Sequence, residues 1–261
     1  MKQQLEKSEE ELLFQMLHEK SLVSRVETLD SLHVFKKKGV IDQVLKAALS
    51  DPHFIVRQYG LEYMIDQGMA IADYESQVDQ LLADSNSTVR SYALSYVSEN
   101  AFGQYQETIG SALRDESYMV VGTAISLWTK NGQLLSDSLL TTFKGESNIN
   151  IVLALAVYFN SHRELESRDW FENNLKSLRK GDLFYFLQVY AERLMLVSDK
   201  GRKAAVPRLK HIAQNNSYYL ARFAALQVLM LNADLPNVNS IVEETKAMET
   251  DERLIKYYQD F

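Results

Sequence analysis

Three stretches decide how this chain is read: Asp51-Pro-His-Phe-Ile-Val-Arg57, Asp84-Ser-Asn-Ser-Thr-Val-Arg90 and Asp115-Glu-Ser-Tyr-Met-Val-Val121. They align without a gap. Each follows a short amphipathic segment ending in leucine: Val44 to Leu49, Val78 to Leu82 and Ile109 to Leu113. Beyond the last residue of each stretch come a small residue at +3, an aliphatic at +4 and a larger apolar residue at +7. These are Gly60, Leu61 and Met64; Ala93, Leu94 and Val97; Ala124, Ile125 and Trp128. That spacing lays all three on one stripe of an α-helix.

The pattern runs on in both directions. Upstream, Arg25 precedes Thr28, Leu29 and Leu32, and Glu19 stands in the place of the aspartate. Downstream, Ile151 precedes Ala154, Leu155 and Tyr158, and Asn216 with Arg222 precedes Ala225, Leu226 and Leu229. The period is about 30 to 33 residues, within the range of helical repeat arrays. The expected fold is all-α: a superhelical α-solenoid of helix-turn-helix repeats, forming a single domain over residues 1–261. The repeats are clearest over 19–160, irregular over 161–202 and capping over 203–261. In the irregular part a long aromatic helix is expected from Asp182 to Val197, and a short terminal helix from Asp251 should close the stack.

Each repeated position has a physical reading. Asp51, Asp84 and Asp115 precede helices, where a carboxylate can cap free amides and meet the positive end of the helix dipole. Arg57 and Arg90, six residues on, can reach their own aspartate or the one in the next repeat. The small +3 residue lets the partner helix approach closely, and stacking of neighbours covers the apolar face that no pair can bury alone.

Composition agrees with such an array. Of 261 residues 46% are hydrophobic and 24% charged, with only 10 Gly and 3 Pro to make turns. The formal net charge of -7 argues against nucleic acid as a partner. There is no Cys, so disulfides, thiolate nucleophiles and Cys-ligated zinc are all excluded. No apolar run is long enough to span a membrane, and the charged opening from Met1 lacks the features of a signal peptide. It reads as a helix entered midway, as in a piece of a longer chain. The compartment stays open between cytoplasm and periplasm.

Catalytic patterns are missing. No two of His18, His33, His53, His162 and His211 are three or four residues apart, and His18-Glu19 is followed by Leu22 where a zinc ligand would have to stand. Glu9-Glu10-Glu11 and Glu243-Glu244 read as solvated faces. Lys36-Lys37-Lys38 with Gly39 reads as a helix C-terminus closed by a left-handed glycine, and Lys200-Gly-Arg-Lys203 as a helix junction. No cofactor is expected. The sequence places function on a surface instead: Gln58, Tyr59, Glu62 and Tyr63 of one second helix and Ser91, Tyr92 and Ser95 of the next are candidates to line a groove. The competing reading of those tyrosines is as core.

The Asp-Pro-x-x-x-Val-Arg and Asp-x-x-x-x-Val-Arg-x-x-Ala-Leu runs resemble the HEAT repeat, a protein-interaction scaffold. More narrowly, three features are similar to the C-terminal helical region of bacterial zinc aminopeptidases of the aminopeptidase-N family. They are Ser24-Arg-Val-Glu-Thr-Leu29 leading into Val44-Leu-Lys-Ala-Ala-Leu-Ser-Asp-Pro52, the run around Asp84, and Asp251-Glu-Arg-Leu-Ile-Lys256. That family's HExxH and GxMEN signatures are absent; Ala247-Met-Glu-Thr250 lacks the Gly and Asn of the latter. The resemblance therefore implies a non-catalytic domain that encloses the active site of a zinc-dependent enzyme. The zinc would belong to that enzyme, and the partner would be a catalytic domain of the same polypeptide. A free-standing scaffold for another protein is the alternative, and a DNA glycosylase on a HEAT frame is disfavoured by the acidic charge.

Overall fold

The computed structural model describes residues 9–32, 38–163 and 167–259. Among them the regular structure is entirely helical. In chain order the helices are α1 (Glu9–His18), α2 (Leu22–Ser31), α3 (Lys38–Leu49), α4 (Phe54–Asp66), α5 (Glu75–Leu82), α6 (Ser87–Ala112), α7 (Tyr118–Lys130) and α8 (Asp137–Lys144). There follow α9 (Ile149–Ser161), α10 (Arg168–Ser177), α11 (Lys180–Leu196), α12 (Asp199–Asn215), α13 (Tyr219–Met230), α14 (Val238–Met248) and α15 (Glu252–Gln259). The chain gathers into two compact units, Met1–Gln133 and Leu134–Phe261.

In the first unit the helices alternate between two sets. First helices pack on first helices, α1 on α3 and α3 on α5; second helices pack on second helices, α2 on α4 and α4 on α6. α6 serves two pairs because it is broken: Ala101 has φ -156° and ψ 44°, far from helical values. The stripes read from the sequence face inward. Val56, Gly60, Leu61 and Met64 are buried in α4, Val89, Ala93, Leu94 and Val97 in α6, and Val120, Ala124 and Ile125 in α7. Each fully buried aliphatic side chain contributes about 1.5–3 kcal/mol. At Gly60 an added Cβ would lie 3.1 Å from Leu49 Cδ2 and 3.4 Å from Ala48 Cβ, so α4 sits against α3 at a distance a larger residue would open.

Tyrosines tie this unit together in a way the periodicity does not announce. The Tyr74 hydroxyl donates to Asp42 at 2.6 Å, Tyr96 to the Met69 carbonyl at 2.6 Å, and Tyr105 to Asp79 at 3.2 Å. Burial is the main reason all three phenols lie above the ordinary tyrosine range, with Tyr96 and Tyr105 pushed up to about 12.

One sequence expectation fails here for a simple reason. Gly39 lies in the first turn of α3, so it cannot close a preceding helix as a left-handed cap. Lys36, Lys37 and His33 fall outside the described residues.

The second unit is built around rings. α11 buries Leu183, Phe186, Leu187, Tyr190 and Leu194 along one stripe. The Phe186 ring is 5.8 Å from Phe171 and 6.0 Å from Trp170, and Trp170 is 5.2 Å from Phe159. α9 and α13 both pack on α11, and α12 packs on α13 and α14. α15 is held by the buried Leu254, by Tyr257 edge-on to Phe223 at 4.8 Å, and by the Arg253 guanidinium 3.6 Å from the centre of the Tyr219 ring.

Candidate functional site

Four arginines share one place and one bonding pattern in four helices: Arg25 in α2, Arg57 in α4, Arg90 in α6 and Arg222 in α13. Each stands four residues after the N-cap of its helix, which is Ser21, His53, Asn86 and Tyr218 respectively. Helical side chains lean toward the N-terminus, so an arginine there lies over the loop that leads into its helix. Its Nη1 donates to the carbonyl six residues back: Glu19 at 3.0 Å, Asp51 at 2.7 Å, Asp84 at 2.7 Å and Asn216 at 2.9 Å.

The other edge of each guanidinium grips a carboxylate from the next loop along the chain. Arg57 Nε and Nη2 donate to Asp84 at 2.6 and 2.7 Å, Arg90 to Asp115 at 3.0 and 2.7 Å, and Arg222 to Glu249 at 3.0 and 2.8 Å. Arg25 Nε lies 2.7 Å from Asp51. The carboxylate in turn accepts the backbone amide two residues on, from His53, Asn86 and Ser117 at 2.8 Å each and from Asp251 at 2.9 Å. Each rung thus stitches one loop to the next with charge-assisted bonds, paired at Arg57, Arg90 and Arg222 and single at Arg25, where Nη2 donates to Asp51 at 3.2 Å.

The electrostatics follow. Burial pushes the Asp115 and Glu249 carboxyls up, but Arg90 and Arg222 with the neighbouring backbone amides more than offset it and hold both below the usual range. Arg90 and Arg222 are raised by the same bonds.

This geometry corrects the capping role expected of the aspartates. Asp51, Asp84 and Asp115 lie two residues before the N-cap and bind the amide of the cap residue itself. The helix amides are served by other atoms: Asn86 Oδ1 accepts from Thr88 at 3.0 Å and Val89 at 3.3 Å, and His53 Nδ1 accepts from Ile55 at 3.3 Å. The arginines do both things the sequence allowed, taking the carbonyl of their own loop and the carboxylate of the next. Arg25, Arg222 and Glu249 belong to the same set. The signal was there: Arg222 precedes Glu249 by 27 residues, as Arg57 precedes Asp84.

The proposed groove residues divide. Tyr59 is 37% exposed and Tyr92 half-buried. Tyr92 is hydrogen-bonded to Glu62, which raises its pKa together with burial, and Glu62 accepts from Gln58 at 2.9 Å. Gln58, Tyr59, Glu62 and Tyr92 therefore form one polar-aromatic patch across α4 and α6. Ser95, half-buried, turns its hydroxyl back to the Ser91 carbonyl at 3.1 Å. Tyr63 and Ser91 do not line any groove; at 7% and 8% exposed they are core, because they sit on the flank of each helix that meets its neighbour.

Among the described residues no three His, Asp or Glu side chains come together as a metal site, and no helix is long and apolar enough to cross a membrane. Lys200-Gly-Arg-Lys203 lies in the first turns of α12, where Arg202 bridges Asp199 at 2.6 Å and Asp234 at 2.8 Å. Compared with known proteins, the chain matches no family model and no curated protein.

Proposed function

We propose that this chain is a HEAT-type α-solenoid that works as a scaffold, binding another folded protein domain through its helical surface and performing no chemistry of its own. The observation that carries the reading is the arginine–carboxylate ladder. Its rungs recur at a fixed offset from the helix cap, as expected where successive helix pairs stack on one another. The patch of Gln58, Tyr59, Glu62 and Tyr92 supplies the contact, since tyrosine covers a large area and keeps a polar tip.

The narrower form of the proposal is a C-terminal domain that encloses the active site of a zinc aminopeptidase on the same polypeptide. It is supported by the resemblance of the opening helices and of the Asp84 run. The reading frame upstream of Met1 tests it: continuation through an HExxH motif is the expected result, and a stop codon there removes the aminopeptidase while leaving the scaffold.

The scaffold itself is tested by geometry and by binding. An experimental structure in which the helix pairs do not stack in one superhelical sense would remove the solenoid. With the upstream domain in hand, Tyr59→Ser with Tyr92→Ser should leave the circular dichroism spectrum unchanged and weaken association about tenfold or more. Unchanged association would strike out the patch.

A further inference from the structure

Asn131-Gly132 is the one asparagine–glycine pair in the chain. In such a pair no side chain shields the glycine nitrogen, which can attack the asparagine side-chain carbonyl carbon. The new N–C bond closes a cyclic imide. The bond from that carbon to the side-chain nitrogen breaks, and the nitrogen takes the glycine proton and leaves as ammonia. Water then opens the imide at either carbonyl, giving aspartate or isoaspartate. This chemistry makes asparagine a thermolabile residue.

The pair closes α7. Asn131 is the C-cap, and Gly132 takes φ +70°, a left-handed conformation that glycine adopts without strain. The Gly132 amide donates to the Thr129 carbonyl at 3.0 Å and the Gln133 amide to the Trp128 carbonyl at 3.0 Å, the paired bonds of a helix end closed by glycine. The leaving nitrogen is held as well. Asn131 Nδ2 donates to the Leu127 carbonyl at 2.9 Å and to the hydroxyl of Ser98, buried in α6, at 3.0 Å. Two more bonds pin the same end to α6: Lys130 to Glu99 at 3.1 Å, and Gln106 to Gln133 at 3.3 Å. Attack therefore requires the Gly132 amide to leave Thr129 and the Asn131 amide to leave Ser98 and Leu127. The end of α7 must come away from α6 first.

The product does not fit back. Ser98 can turn its hydroxyl to donate to a carboxylate, but the Leu127 carbonyl would then face another acceptor. The new negative charge lies at the negative end of the α7 dipole. Isoaspartate also lengthens the backbone between the cap and Gly132, which draws the Gly132 and Gln133 amides off their acceptors.

We propose that Asn131 is a deamidation site gated by the fold. It reacts when the end of α7 opens, and the product makes the loss of the tie to α6 permanent. This goes beyond the scaffold reading and stands without it, since none of these residues belongs to the ladder or to the tyrosine patch.

Incubation of the full chain in mildly alkaline buffer, folded and in urea, tests it. The tryptic fragment Asn131–Lys144, in which Asn131 is the only asparagine, is followed by mass spectrometry with fragmentation to assign the residue. Deamidation at Asn131 should run at least about tenfold faster in urea than in the folded chain. Ser98→Ala, checked for folding by circular dichroism, should speed the folded-state reaction about three- to tenfold, from the loss of one acceptor. Asn131→Asp, which carries the product's charge, should raise amide exchange at Gly132 and Gln133 about tenfold while leaving α4 unchanged. The proposal is overturned by any of four results: equal rates in the folded chain and in urea, no modification of Asn131 in urea, an unchanged rate in folded Ser98→Ala, or unchanged exchange in Asn131→Asp.

Discussion

The two units hold their helices together by different means. In Met1–Gln133 three consecutive rungs, Arg25–Asp51, Arg57–Asp84 and Arg90–Asp115, run from loop to loop. In Leu134–Phe261, among the described residues, Arg222–Glu249 repeats that full geometry, Arg202, also four residues after its cap, pairs with the exposed Asp234, and the middle is packed by Phe159, Trp170, Phe171, Phe186 and Tyr190. Where the ladder lapses, the residue four after the cap is Val121 in α7 and Val152 in α9, both buried. Rungs are directional and set the register between helix pairs. Ring packing is non-directional and fills volume, so it tolerates the helix lengths that depart from the period.

The sharpest way to break this comparison is to remove one member of each kind. Phe186→Ala should destabilise the second unit by about 3–5 kcal/mol, because a fully buried ring leaves a cavity. Arg57→Met should destabilise the first by less, about 1.5–3 kcal/mol, through the charge-assisted bonds it removes from Asp84. With Trp128 in one unit and Trp170 in the other as the only tryptophans, single-tryptophan variants report each transition separately in urea. A larger loss at Arg57 than at Phe186 would reverse the assignment of strengths.

Acid should distinguish the rungs next. Asp115 and Glu249 have depressed pKa values in the fold, so their contribution is complete above the ordinary carboxylate range. It is lost as pH falls through the lower folded values. The melting temperature should therefore fall as pH drops below about 4. In Asp115→Asn this fall should be shallower, and an identical pH profile would show that the rung contributes nothing.

The smallest effects belong to the caps. Asn86→Ala should cost about 1 kcal/mol, since Asn86 serves two helix amides. His53→Ala should cost less, as its one acceptor contact is 3.3 Å long. Urea midpoints in the reverse order would show that the Asp84 carboxylate, and not Asn86, secures the start of α6.

Much of this was legible in the sequence, and the reason is the regularity of the forces. The period exposed the buried stripes of α4, α6 and α7, and the six-residue spacing of Asp51 to Arg57 exposed a loop bond. A carboxylate two residues outside a helix looks like a cap on paper, and only the backbone turn shows that it binds the cap residue's own amide. Tyr59 and Tyr63 differ by one turn in sequence and by opposite environments in space, which no spacing rule separates.

One consequence of the ladder concerns how the molecule comes apart. Asp115 receives Arg90, but Val121 in its own helix sends nothing onward. Neighbour coupling, carried rung by rung from Glu19 to Asp115, stops there. Slow amide exchange should therefore extend as one cooperative block through α2, α4, α6 and α7, whose start Asp115 ties to Arg90, and end there. The valine at position 121 would then be a built-in fault line, the place where partial unfolding begins without dissolving what precedes it.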